Sequence, residues 1–228
     1  MSLKENLKAE SQREKAKLKN MSGRDRIWYI WEYYKLHMLA AAAILFILYI
    51  IGNVIYNSTF ENRLSYMVIN NSSMEPTDFE TFNQEFKDYM GYGKKDRVTA
   101  EGSVYIRHDG NSSELEYASM AKISALVASN SLDMMIMDQA NADHYNQLDA
   151  FADLEQLLPE DLWQQVKDYA YYAPTESGEE IACAIDINHT CFPERTGVSI
   201  TPCYLGVVKS SNQIDTVIEW IRFLLNSQ

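Results

Sequence analysis

The sequence predicts an α/β protein with one N-terminal transmembrane helix, followed by a single three-layer α/β domain outside the membrane. An apolar run near the N-terminus is long enough to cross a bilayer, and the charge changes sign across it. Beyond the run, short apolar segments alternate with segments of helical periodicity. The expected organisation is a basic cytoplasmic tail (1–22), an aromatic collar with the transmembrane helix (23–56), and an extracytoplasmic domain (57–228).

The apolar run extends from Leu36 to Ile55 and is interrupted only by His37, Gly52 and Asn53. Its 20 residues match the ~20 that a helix needs to cross a hydrocarbon layer ~30 Å thick. A cleaved signal peptide is the alternative, but it would have a short charged leader and small residues at a cleavage site. Here 35 residues precede the run and no A-x-A pattern follows it. These features favour an uncleaved anchor.

The charge distribution predicts the orientation of this anchor. Nine basic and five acidic residues precede residue 57, whereas the rest of the chain has 11 basic and 27 acidic residues, a formal net charge of −16. Basic flanks stay in the cytoplasm, so the C-terminal domain should be extracellular at the cell membrane. The basic tail could also be only this topology signal, with some attraction to anionic lipids. Such an acidic domain would repel phosphate, which argues against nucleic-acid binding.

An aromatic collar comes directly before the run and predicts contact with the lipid headgroups. At 100° per residue, one helix face holds Ile27, Trp28, Ile30, Trp31 and Tyr34. Rings with one apolar and one polar end favour the membrane interface, where we expect Trp28, Trp31, Tyr34 and Lys35. The alternative is that the rings bind a helix of a partner protein. The collar could run straight into the span or lie flat on the bilayer.

The pattern of residues 57–228 predicts the following elements. Strands are expected at Arg63–Asn70, at Arg97–His108 (a bent strand or a hairpin around Gly102), at Leu132–Met137, at Glu180–Ile187 and at Cys203–Val208. Helices are expected from a capping box at Thr77 and Glu80 to Gly91, over Glu114–Asn130, briefly after Met137, after Pro159, and over the stripe Ile214 to Leu225. Ser22 and Asp25 also have capping-box spacing, which predicts that the collar helix begins near Gly23.

Parts of this pattern resemble the first lobe of bacterial extracellular solute-binding proteins, which are type 2 periplasmic-binding-protein-like. The stretch KISALVASNSLDMMIMDQANADHYNQLDAFADLEQLLPEDL has the helix, short strand, small helix and leucine-rich turn of that lobe in order. The stretch YLGVVKSSNQIDTVIEWIRFLL is similar to its late strand and helix, and the WYIWEYYK collar resembles membrane-anchored versions in Gram-positive bacteria. The chain is too short for two such lobes. The resemblance therefore implies a single-lobe, membrane-anchored binding protein.

Polar residues follow two of the predicted strands. Asn70, Asn71 and Ser72 follow the first strand, and Asp138 and Gln139 follow Leu132–Met137. Open α/β sheets bind ligands beyond the carboxyl ends of their strands, so these five residues are the predicted site for a small solute or peptide. The competing interpretation is that they cap the next helices, as Asn, Ser and Asp commonly do.

Three cysteines, Cys183, Cys191 and Cys203, allow at most one intramolecular disulfide. A hairpin across AIDINHT would join Cys183 to Cys191, whereas adjacent strands would place Cys183 beside Cys203. The spacing of the cysteines and His189 matches no common zinc pattern. An EF-type calcium loop is also absent from the sequence around Asp138, Asp143, Asp149 and Asp153. We therefore expect no metal and no cofactor.

The sequence has no G-x-S-x-G elbow, no phosphate-cradling loop and no H-E-x-x-H pair, so we do not expect an enzyme. Two function classes remain. The domain could be a binding or sensing module for a solute at the membrane surface. It could instead bind no solute and act as an interaction subunit of a membrane complex such as a transporter. A bound small molecule or a large exposed apolar patch would separate the two classes.

Overall fold

The computed structural model describes residues 22–108 and 113–226. The predicted tail, residues 1–22, lies outside this part of the chain except for Ser22. Within the first helix the side chain of Tyr34, a predicted interface residue, also lies outside the description. The chain divides into two compact units, Met1–Thr59 and Phe60–Gln228.

In the first unit, the described residues form one long helix, α1 (Gly23–Asn57). Ser22 is its N-cap, and the Asp25 backbone N–H donates to the Ser22 Oγ at 3.3 Å. The predicted start near Gly23 is confirmed. The segment Lys35–Asn57 is long and apolar enough to cross a membrane, by length and composition.

The second unit is built on a six-stranded mixed sheet, in the order β2-β1-β3-β6-β5-β4. The strands are β1 (Glu61–Ile69), β2 (Asp96–Val104), β3 (Met134–Met137), β4 (Ala170–Pro174), β5 (Glu180–Asp186) and β6 (Tyr204–Val207). β1 pairs in parallel with β2 and β3, and the pairs β3–β6, β6–β5 and β5–β4 are antiparallel. The carboxyl ends of β1, β2, β3 and β5 therefore meet the amino ends of β4 and β6 at one edge, here called the carboxyl edge.

The helices of this unit cover both faces of the sheet. They are α2 (Phe79–Tyr89), α3 (Glu114–Ala128), α4 (Gln139–Gln147), α5 (Leu154–Leu157), α6 (Glu160–Val166), α7 (Cys191–Thr196) and α8 (Ile214–Asn226), with a 3-10 turn at Lys167–Tyr169. The predicted helices are confirmed, with ends that shift by a few residues. The N-cap of α2 is Asp78, one residue after the predicted cap. β4, α5 and α7 were not predicted.

Two apolar clusters, one on each face of the sheet, form the core. On one face, Phe82 of α2 packs against Phe192 of α7 and Phe223 of α8, with ring centroids 5.2 and 5.5 Å away. On the other face, Ile123 of α3 and Tyr145 of α4 pack against the sheet. Apolar side chains on both faces of the sheet are removed from water, which stabilises the helix–sheet–helix arrangement. The predicted α/β class and its three layers are confirmed.

The segment around Gly102 is a bent strand, not a hairpin. Between the paired residues Met67↔Glu101 and Ile69↔Val104, β2 contains one residue more than β1. A Cβ at Gly102 would collide with the Phe79 ring. Gly102 therefore allows the first turn of α2 to pack closely on the bulged strand.

The structure corrects the predicted Cys183–Cys191 disulfide, because all three thiols are free and buried. Cys183 belongs to the cluster under α3 and α4, whereas Cys191 belongs to the cluster on the opposite face. After β5 the chain makes a turn at Ile187 and enters α7, so no hairpin brings the two cysteines together. The alternative pairing of Cys183 with Cys203 is also absent, since both thiols are free and Cys203 belongs to the cluster on the face opposite Cys183.

Candidate functional site

The carboxyl edge brings together two of the predicted site residues, Asn70 and Asp138. They follow the neighbouring strands β1 and β3, at the point where the chain leaves the sheet in opposite directions. The Asn70 Nδ2 donates to the Asp138 Oδ2 at 2.7 Å. In open α/β sheets this crossover point is where ligands bind.

Asn70 and Asp138 also support the fold around them. The Asn70 backbone is left-handed, with φ of 61°, and its side chain bonds to both the N–H and the carbonyl of Ile106 at 2.8 Å. The Asp138 Oδ1 accepts from the Asn141 N–H at 2.9 Å, so the capping interpretation is correct for Asp138. Both residues remain partly exposed. A carboxylate oxygen can accept more than one hydrogen bond, so Asp138 can hold a ligand as well as the cap.

Asn71 and Ser72 lie at the same edge but bond to a different loop. Asn71 is buried, and its Oδ1 accepts from the Ser199 N–H at 2.8 Å. The Ser72 Oγ donates to the Ser199 carbonyl at 2.6 Å. These contacts fix the loop between α7 and β6. Of the two residues, only Ser72 is exposed.

Gln139 belongs to a second group of side chains, which includes residues that sequence analysis did not identify. The Gln139 Nε2 donates to the Tyr171 hydroxyl at 3.0 Å, and this hydroxyl donates to the Asp143 Oδ1 at 2.7 Å. The Tyr171 ring stacks on Tyr204, with centroids 4.4 Å apart. These two rings, Tyr171 and Tyr204, are here called the tyrosine pair. The tyrosine-rich run DYAYY was the signal that could have indicated them.

The electrostatics of this group are governed by carboxylates. Burial raises the pKa of Tyr171 to about 12, and its hydrogen bond to Asp143 acts in the same direction. Burial also raises the pKa of Tyr204, followed by the negative charges of Asp186 and Asp143. Asp186 is the strand partner of Tyr204. Both phenols are therefore neutral at pH 7 and lie in a negative potential.

A stacked pair of histidines lies close to the Asn70–Asp138 contact. The ring centroids of His108 and His144 are 4.1 Å apart, and the His108 Nε2 lies 3.0 Å from the Asn141 Oδ1. Burial, and then the neighbouring His108, lower the pKa of His144. The carboxyl edge thus carries aromatic rings, amides and carboxylates together, which are the usual components of small-molecule sites.

A separate cleft of about 730 Å³ opens at the opposite edge of the sheet. Its lining includes the β4–β5 turn at Thr175–Glu179, together with Phe151, Asp153 and Lys209. The size is within the range of ligand sites, ~300–1,000 Å³. Its lysine, however, already bonds to Asp149 at 2.7 Å, and this edge lies away from the crossover point of the sheet. The ligand-binding rule for α/β sheets therefore favours the carboxyl edge.

In the residues that the structure describes, no group of three or more His, Cys, Asp or Glu side chains could hold a metal ion. No family model, no curated protein and no solved structure matches this chain.

Proposed function

We propose that this chain is a single-pass membrane protein whose α/β domain binds a small solute or peptide at the cell surface, as a binding or sensing module. The observation that carries the proposal is the convergence of Asp138, Gln139 and the tyrosine pair on one partly exposed edge of the sheet. Hydrogen-bonding groups beside rings, at the crossover point of an open sheet, can orient a bound solute.

Anchoring by α1 is part of this proposal. The apolar segment Lys35–Asn57 would cross the bilayer, and Trp28 and Trp31 are 69% and 61% exposed, as residues in contact with headgroups would be. Lys35 bonds to Glu32 at 3.2 Å at the start of this segment. With the excess of basic residues before it, the N-terminus would be cytoplasmic and the domain extracellular.

The order of elements supports a relationship to lobe one of solute-binding proteins of the Gram-positive, membrane-anchored type. The stretch with this resemblance folds as α3, β3, α4 and α5 in succession, and its later part folds as β6 and α8. One sheet with two flanking helix layers accounts for the described residues of the second unit. The ligand would therefore bind at an edge of this one sheet.

A second candidate function is that of an interaction subunit in a membrane complex such as a transporter. Large apolar side chains are exposed in the loops and the helix start that follow β1 and β2. They are Met74 (103% exposed), Tyr105 (51%), Leu115 (71%) and Tyr117 (63%). Large exposed apolar side chains near one edge of a domain favour contact with another protein.

The experiment that tests the proposed function uses the full chain in lipid nanodiscs. Its thermal unfolding is followed in the presence of sugars, amino acids, peptides and cell-wall fragments. A ligand that binds only the folded state stabilises it by about 2.7 kcal/mol at one hundred times its Kd. A saturable rise in Tm supports the binding module. A folded protein that no compound stabilises contradicts it, and photocrosslinking from position 74 in native membranes then tests the interaction subunit.

A further inference from the structure

We infer that the solute carries an ammonium group, which binds between Asp143 and Asp186 and against the tyrosine pair. This inference rests on the proposed function, and it specifies the chemical class of the ligand. It assigns binding roles to side chains that come from four separate elements of the fold.

Helix α4 and strand β5 place the carboxylates of Asp143 and Asp186 near Tyr204 of β6. Asp143 lies on α4 and accepts from the Tyr171 hydroxyl at 2.7 Å. Asp186 ends β5 and pairs across the ladder with Tyr204, the first residue of β6. Both carboxylates are close enough to Tyr204 for their charges to act on its hydroxyl. A small cation beside the Tyr204 ring would therefore lie near two negative charges.

The two acids differ in charge balance from the carboxylates that have basic partners. Several carboxylates of the domain pair with basic side chains, as in Arg107–Glu116 at 2.9 Å and Arg222–Asp161 at 2.7 Å. Among the described residues, neither Asp143 nor Asp186 forms a salt bridge with lysine or arginine. Both are only partly exposed, so their charges are less well hydrated than those of surface acids. A ligand cation would supply the missing counter-charge.

The hydrogen bonds of the two carboxylates leave room for such a ligand. Among the described residues, the N–H and the Nδ2 of Asn188 donate to the Oδ1 of Asp186, at 2.9 and 3.0 Å. The Tyr171 hydroxyl donates to the Oδ1 of Asp143. An ammonium group has several donors and no acceptor, and therefore matches a surface made of acceptors.

The tyrosine pair and the net negative charge of the domain also favour a cationic ligand. An ammonium group within ~6 Å of a phenol ring is attracted by the negative face of the ring. The whole region after residue 56 has a formal net charge of −16, which attracts cations and repels anions during approach. A second copy of the same domain would be repelled for the same reason, whereas a small cationic solute would not.

The test uses matched pairs of probes on the full chain in nanodiscs. Putrescine and choline carry the cation, and 1,4-butanediol and 3,3-dimethyl-1-butanol are their neutral counterparts. Calorimetric titration to about 10 mM covers the weak binding expected of small ligands. The double variant Asp143→Asn/Asp186→Asn removes both charges. The control Glu176→Gln removes an exposed acid from the β4–β5 turn at the opposite edge.

We expect at least one cationic probe to bind, with affinity that falls as NaCl is added and that is about tenfold or more weaker in the double variant. Glu176→Gln should bind as the wild type does. Equal binding of the neutral probe, equal binding by the double variant, or no binding of either cation would overturn the inference. These outcomes leave the proposed function standing if a neutral compound from the solute library stabilises the protein. Both proposals fail if no compound does.

Discussion

The two ends of strand β3 carry the same residue type in opposite situations. Asp133, just before the strand, is 4% exposed; its carboxylate accepts from the Ser65 N–H at 2.8 Å and from the Ser211 Oγ at 2.6 Å. Asp138, just after the strand, caps α4 and stays partly exposed. The chain itself satisfies and covers the carboxylate at the amino end. The carboxylate at the carboxyl end keeps access to solvent, so of these two acids only Asp138 can also bind a ligand.

The largest expected effect is the loss of stability when Asp133, at the amino end of β3, is replaced. Asp133→Ala removes the acceptor of two donors in a buried position, and we expect a loss of about 3 kcal/mol in the free energy of unfolding. Asp138→Ala removes an N-cap, which is worth about 1 kcal/mol. Urea denaturation of both variants measures the difference. Equal losses in the free energy of unfolding would show that Asp133 and Asp138 contribute equally to the stability of the fold, contrary to this account.

The next variant separates the two roles of Asp138. Asp138→Ser keeps a capping hydroxyl but removes the carboxylate, so we expect it to recover most of the ~1 kcal/mol that Asp138→Ala loses. Binding of the library ligand should stay weak in both variants, since both lack the charge. The check is to compare urea midpoints and ligand-induced Tm shifts in parallel. If Asp138→Ser binds the ligand as tightly as wild type does, the Asp138 carboxylate is not part of the binding site.

The pH dependence of stability tests the burial of Asp133 at the amino end of β3. Burial raises the pKa of Asp133 above its usual value of 3.8, against the effect of its hydrogen bonds to Ser211 and Ser65. The folded state therefore binds this proton more tightly than the unfolded state does. The resulting stabilisation is complete below the unfolded pKa and is lost as pH rises through the folded pKa. The free energy of unfolding of wild type, relative to that of Asp133→Asn, should therefore fall as pH rises above about 4. A relative free energy that rises with pH would contradict the burial argument.

The smallest expected effect concerns Cys203, which lies beside the open edge. Burial, and then the charge of Asp186, raise the pKa of its thiol to about 12. Iodoacetamide at neutral pH should therefore not modify Cys203 in the folded protein, whereas unfolding in urea should expose three reactive thiols. Peptide mass analysis gives the modified positions. Rapid labelling of Cys203 in the native state would mean that solvent reaches this thiol from the carboxyl edge, contrary to its burial.

Much of the fold could be predicted from local patterns. LDMMIM and CYLGVV are short apolar runs that became β3 and β6, and the stripe from Ile214 to Leu225 became α8. Capping residues gave the starts of α1 and α2 to within a residue. β4 was missed because AYYAP is short, follows a helix without a turn signal, and ends in Pro174; its other residues fit a strand at the edge of the sheet.

The site was predicted less completely, because its contacts join distant parts of the chain. The fold rule gave Asn70 and Asp138, which lie 68 residues apart and do meet. Nothing local indicates that Tyr171 reaches Gln139, or that Asn71 is buried against Ser199, which is 128 residues away. The disulfide was mispredicted for a similar reason, since spacing alone does not show on which face of a sheet a cysteine lies.

The most direct test of the carboxyl edge as the binding site is ligand-induced stabilisation of the full chain in nanodiscs, compared between Asp138→Ser and Glu176→Gln. These variants each remove one acid, at opposite edges of the sheet. We predict a saturable Tm rise that is largely lost in Asp138→Ser and unchanged in Glu176→Gln. A Tm rise that survives in Asp138→Ser and is lost in Glu176→Gln would place the ligand in the opposite cleft and contradict this account.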